Sequence, residues 1–132
     1  GSFLLVEEET DDGLRFNQPA GHLDEGESLV AACAREALEE TAWGFTPTAL
    51  VGVYQWPRSQ GDITYLRFAF SGELGAHQAG RILDAGILRA VWITPDEIRA
   101  TVDRHRSPLV WQCVTDYISG RSFPLELLRH YD

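Results

Sequence analysis

The stretch Gly21–Trp43, GHLDEGESLVAACAREALEETAW, decides how the rest of the chain reads. Within it Glu36, Glu39 and Glu40 stand at i, i+3 and i+4. Helix geometry turns successive side chains by about 100°, so over Ser28–Thr41 the three carboxylates share an arc of roughly 100°. The opposite arc carries Val30, Ala31, Ala34, Ala37, Leu38 and Thr41, a stripe suited to a core. Ser28 and the acids before it suit a helix N-terminus, where unpartnered N–H groups need acceptors. The expectation is one helix that buries one side and holds acids out on the other.

Such a cluster is costly. Like charges at i,i+4 destabilise an isolated helix by about 0.2–0.5 kcal/mol per pair. They also lie toward the C-terminal half, where the helix dipole disfavours negative charge. A hard divalent cation held by carboxylate oxygens offsets both effects. Magnesium uses few protein carboxylates and completes its shell with water and phosphate oxygens. The plain alternative is a solvated acidic face, and Gly21, Glu27 and Arg35 at fixed offsets from the acids argue against it.

Read as Gly21, Glu27, Arg35, Glu36, Glu39 and Glu40, the stretch resembles the Nudix box, G-x5-E-x7-REUxEExGU. Two positions depart from it. Ala37 replaces a larger aliphatic residue, and Ala42 replaces the glycine that ends the helix. Gly44 is expected to supply the left-handed turn instead. The resemblance implies an α/β/α sandwich with a mixed β-sheet; the residues by themselves support only α/β or α+β. It also implies Mg2+, or Mn2+, bound by Glu36, Glu39, Glu40 and the Gly21 carbonyl. Either Glu36 or Glu39 would act as general base, with a Glu27–Arg35 salt bridge orienting a catalytic glutamate. Many family members carry a further glutamate about six residues before the tryptophan that matches Trp92; Gly86 stands there, and the nearest acid is Asp84.

Segments outside the box, Asn17–Leu23, Gln55–Trp56, Leu66–Phe68, Arg106–Val110 and Ser119–Glu126, resemble the bacterial NudJ-type phosphatase branch of the family. That branch implies hydrolysis of nucleoside tri- and diphosphates and of thiamine-type (hydroxymethylpyrimidine) pyrophosphates, with inorganic phosphate as product. The alternatives are an ADP-ribose or dinucleotide pyrophosphohydrolase, and a catalytically silent domain that binds a nucleotide and regulates a partner. A calcium module ranks last, since no D-x-D-x-D-G loop is present.

The composition narrows the partners. A formal charge of −9 over 132 residues disfavours nucleic acid and anionic membrane surfaces. All eleven basic residues are arginines, the better bidentate ligands of phosphate. Cys33 and Cys113 form no pattern and suit a reducing, cytoplasmic setting. Cys33 lies near the acidic side of the helix with no histidine placed to activate it. No run is long and apolar enough to span a bilayer, and no signal peptide is visible. The chain has no methionine, and a native strand is expected upstream of Phe3. Residues 1–132 are expected to form a single domain, a monomer rather than a homodimer.

Along the chain, Phe3–Glu9 and Leu14–Asn17 read as strands around the turn Thr10–Gly13. Ala49–Trp56 and Ile63–Ser71 read as a hairpin over the turn Pro57–Asp62, with Trp56 opposite Tyr65 and Arg67 on the same face as Tyr65. Trp56 and Tyr65 could stack on a heteroaromatic ring, Arg58, Arg67 or Arg106 could clamp an outer phosphate, and His22 could touch substrate. Gly72–Gly86 reads as loop and Ile87–Ile93 as strand. Thr94, Pro95 and Glu97 form a helix start, and Leu109–Ser119 is a final helix ended by Gly120. The tail Arg121–Asp132 should dock on the body.

Overall fold

The alternating runs before and after the helix fold into two antiparallel sheets. In chain order the elements are β1 (Phe3–Thr10), β2 (Gly13–Asn17), α1 (Leu29–Thr41), β3 (Trp43–Pro57), β4 (Thr64–His77), β5 (Ile87–Ile93), α2 (Pro95–Ala100) and α3 (Leu109–Ile118). Short 3-10 turns at Val102–Arg104 and Leu125–Leu127 complete them. This computed structural model describes residues 1–58 and 61–131. β1 runs between β2 and β5, while β3 and β4 make a separate ribbon. The mixed character lies in a parallel bridge, Phe16 to His105, beside the antiparallel ladders. The class is α/β, as the box resemblance implies.

Helix α1 packs against β3 and β5, and α3 packs on β3 from elsewhere in the chain. Between the three-stranded sheet and helices α2 and α3 lies the core of Leu5, Phe16, Ile98, Val110 and Val114. Five such side chains removed from water contribute on the order of 1.5–3 kcal/mol each. Thr94 caps α2 through a full capping box with Glu97, as its sequence indicates. The tail is tied to β3 by paired backbone bonds between Leu50 and Phe123, at 2.9 and 2.8 Å.

Three expectations need correction. The ribbon is longer than the hydrophobic runs suggest: β3 starts at Trp43, and β4 continues through Gly72 to His77. Pro47 pairs with Gly72 at the edge of a register shift between Pro47 and Ala49, a bulge position that tolerates a residue without an N–H. Gly72 is a close-approach residue, since a Cβ there would overlap the Thr46 carbonyl oxygen. Second, Ala42 itself takes the left-handed conformation that ends α1, with φ 65°, and Gly44 does not. Its N–H donates to the Leu38 carbonyl at 2.9 Å, which closes the helix end. Third, the buried arc of α1 holds Ala32, Ala37, Glu40 and Thr41, whereas Ala31 is exposed.

At the β3–β4 turn, the Arg58 N–H donates to the Ile63 carbonyl and the Gly61 N–H to the Arg58 carbonyl, both at 2.8 Å. Of the expected turn, Ser59 and Gln60 lie outside the described residues, as does Asp132 in the tail.

Candidate active site

The segment between β2 and α1 explains why the acids of the helix are not held out to water. Pro19 stops the strand, and the chain crosses the acidic side of α1 as a strap from Asn17 to Gly21. The Ala20 N–H donates to Glu40 Oε1 at 3.2 Å. Gly21 lies so close that a Cβ would overlap the Glu36 carboxyl group. A side chain there would push the Glu36 carboxyl group out of its place. Glu40 is consequently 6% exposed.

Arg35 organises the solvent side. Its Nε and Nη2 reach Glu27 Oε2 and Oε1 at 2.7 and 3.0 Å, a bidentate pair. Nη1 donates to Glu36 Oε1 and to Glu39 Oε1, each at 2.9 Å, and Nη2 donates to the His22 carbonyl at 3.0 Å. Glu27 Oε1 also accepts the Asp24 N–H at 3.1 Å, tying the loop before the helix to the same guanidinium. The hydrogen bonds to Arg35 hold the Glu27 carboxyl below its ordinary value. The expected Glu27–Arg35 pair is thus present, and it extends to two of the clustered acids.

Three acids meet at one point. Glu36, Glu40 and Asp84 each offer a carboxylate oxygen, all within 4.8 Å of one another. Asp84 comes from the segment before β5, and its N–H donates to the Glu39 carbonyl at 3.1 Å, which fastens that segment to α1. Burial raises the Glu40 pKa, and the shared hydrogen bond with Glu36 adds to it. Burial also raises that of Asp84, helped by the charges of Glu39 and Glu36. Carboxylates this close cannot all be ionised without a proton or a cation between them. The donor set is all oxygen, it includes a buried carboxylate, and a glycine is pressed against it. These residues fit a hard divalent cation.

Of the four expected metal ligands, the structure brings Glu36, Glu40 and Gly21 together and turns Glu39 toward Arg35. Asp84 joins them, although the sequence places it two residues from the family's usual acid position. Its signal was its being the nearest acid to that position. Burial pushes the Cys33 thiol up to about 11, which disfavours the thiolate a nucleophile needs.

None of the expected substrate residues is among the three converging acids. Trp56 and Tyr65 are cross-strand partners, stacked with centroids 6.1 Å apart. Arg58 pairs with Asp62 at 3.0 Å in the turn beyond them. Arg106 is half-exposed and 4.0 Å from Glu8. His22 is exposed and contributes its carbonyl to Arg35. Arg67 donates to the strap residues Gln18 and Asn17, both at 3.0 Å.

The family model for the NUDIX domain matches residues 1–112. The chain belongs to the Nudix family. Nudix hydrolases act on phosphoric anhydride bonds, and that is the enzyme class of this chain. Relatives of this Nudix hydrolase include the Phosphatase NudJ proteins of Escherichia coli K12 and Shigella flexneri. Each is 36% identical over 132 residues, spanning all of this chain and 85% of the relative. Among solved structures, a NUDIX hydrolase from Nitrosomonas europaea superposes with a TM-score of 0.95 at 49% identity, covering 98% of this chain and 88% of that one. A MutT protein from Methanosarcina mazei Go1 shares the fold, with a TM-score of 0.68 at 20% identity over 92% of this chain and 86% of that one. Among the described residues no helix is long and apolar enough to cross a membrane.

Proposed function

We propose that residues 1–132 act as one Nudix domain, a Mg2+-dependent phosphatase that hydrolyses nucleoside tri- and diphosphates and thiamine-type pyrophosphates and releases inorganic phosphate. The observation that carries this reading is the convergence of Glu36, Glu40 and Asp84 beside Gly21, next to an Arg35 that holds Glu27 and Glu39. Full-length similarity to proteins named Phosphatase NudJ supports the choice of leaving group.

Glu36, Glu40, Asp84 and the Gly21 carbonyl would hold the ion. When bound, the ion supplies positive charge to the phosphate oxygens and acidifies water. A chain of charge −9 needs that charge to accept an anionic substrate at all. Glu39 is the better candidate for general base, because it lies outside the group of converging acids. Glu27 holds Arg35 in place. Arg106, half-exposed and weakly engaged with Glu8, is free to exchange that partner for an outer phosphate, and Arg58 and His22 border the same substrate. The Trp56–Tyr65 stack offers an aromatic surface to a base or pyrimidine ring.

The test is product analysis with and without Mg2+ on nucleoside di- and triphosphates, thiamine-type pyrophosphates and ADP-ribose. Magnesium-dependent free phosphate from several of these is expected. Turnover confined to ADP-ribose or dinucleotides, with no free phosphate, would replace the phosphatase with a pyrophosphohydrolase. Mn2+ binding without turnover of any substrate would make the domain a regulatory binder.

A further inference from the structure

Arg67 lies on β4 across from Tyr54, and its two terminal nitrogens are directed at the strap. Nη1 donates to Gln18 Oε1 and Nη2 to Asn17 Oδ1. A guanidinium has no acceptor, so it fixes which way both amides point. Their NH2 groups must then face acceptors, and they do. Gln18 Nε2 donates to the Val110 carbonyl at 2.8 Å, and Asn17 Nδ2 faces Glu8 Oε1 at 3.4 Å. Every polar atom named here is paired with the right sign.

The base of Arg67 is also held. Tyr54 donates to Asp116 Oδ2 at 2.6 Å, Gln112 donates to Asp116 Oδ1 at 3.0 Å, and Cys113 is buried against Arg67 and Tyr54. The Cys113 thiol on α3 thus lies against both Tyr54 and Arg67, and Arg67 reaches on to Asn17 and Gln18. Two residues further along the strap, Ala20 donates to Glu40, and Gly21 then meets Glu36. Asn17 is itself 8% exposed, so its bond to Arg67 is sheltered from water.

We propose that Arg67 is a positioning residue: by holding the Asn17 and Gln18 amides it sets the strap so that the Ala20 N–H and the Gly21 backbone face Glu40 and Glu36 where the cation binds. This rests on the metal-dependent reading above and departs from the expectation that Arg67 clamps a phosphate. Groups behind metal ligands commonly govern about 10–100-fold in metal affinity.

The experiment is Mn2+ binding to the metal-free protein, followed by calorimetry and by the electron paramagnetic resonance of the ion, with no substrate present. R67M should weaken Mn2+ binding by about 10–100-fold. R67K, which keeps the charge and loses the fork, should weaken it nearly as much. N17A and Q18A remove the same bonds from the strap side, so the result does not hang on how R67M folds. Each should weaken binding, and adding R67M to the N17A/Q18A pair should cost little more, since the bonds are already gone. Wild-type Mn2+ affinity in N17A/Q18A and R67K, together with a raised KM for substrate, would overturn the proposal and return Arg67 to the phosphate. If the wild-type protein itself binds no Mn2+, both this inference and the metal-dependent function fall. Equal binding by wild type and variants removes only the role of Arg67.

Discussion

Glu40 carries a carboxyl group in a place that suits its neutral form until a cation arrives. Because its folded-state pKa is raised above the ordinary value of 4.5, ionisation is harder in the folded protein than in the unfolded chain. Metal-free stability is then full below about pH 4.5 and is progressively lost as the pH climbs toward the folded value. E40Q mimics the protonated side chain, able to accept from Ala20 and donate to Glu36. Metal-free E40Q should therefore melt above wild type at pH 8 and level with it at pH 5, yet gain nothing from added Mn2+ and lose turnover by orders of magnitude. A wild-type response to Mn2+ in E40Q would remove Glu40 from the site. Glu7 shows the opposite sign. Hydrogen bonds from Arg89 and then Arg104 hold its pKa below 4.5, so its contribution is present above that pH and lost as the pH falls. E7Q should lower the melting temperature at pH 7, and the gap to wild type should close on acidification. Ala42 is a third case. A residue with a Cβ in the left-handed region costs about 1–2 kcal/mol relative to glycine. A42G should recover about 1 kcal/mol in urea unfolding, part of the gain being offset by the freer unfolded chain.

Element by element, what could be read depended on whether the deciding contact was local. Ser28 and Thr94 cap their helices within three or four residues of sequence, and both were legible. The Glu27–Arg35 pair follows from a spacing of eight residues across one turn and one helix. The extension of β3 and β4 was not legible, because Pro47, Gly72 and Gly75 carry the local signature of loops. Their real role depends on what they meet across the ribbon: Pro47 faces Gly72, which admits the Thr46 carbonyl, and Gly75 lies against Gly44. G72A should destabilise the ribbon by about 2 kcal/mol or more, since a backbone oxygen cannot step aside as a side chain can. A melting temperature within a degree of wild type would show that the ribbon relaxes at Pro47. The burial of Glu40 was equally invisible, because the covering strap reaches it from twenty positions away.

The whole molecule joins three distant pieces of sequence at one point: the strap, α1 and the segment carrying Asp84. The box made the cluster legible, and its third carboxylate, Asp84, came from a loop whose path no periodicity encodes. Linkage makes that assembly measurable. A cation that binds only the folded state should stabilise it by about 2.7 kcal/mol at a hundred times its dissociation constant. The gain should be larger at pH 8 than at pH 6, because protons compete for the same carboxylates. Metal-free D84N should melt no lower than wild type at pH 8, since burial and the neighbouring acids favour the neutral form of Asp84, and it should show a smaller Mn2+-induced rise; an undiminished rise would place Asp84 outside the ion's reach.

The paired bonds between Leu50 and Phe123 bear on colloidal behaviour as well as on folding. Among the described residues they are the only bridge on that side of β3, and a strand with a bare flank is a template for another chain. A chain cut after Gly120 would keep every residue of the acidic cluster and uncover that flank. It should bind Mn2+ while dilute and form β-rich aggregates as its concentration rises. The last dozen residues would then act as a guard against self-association, separable from chemistry.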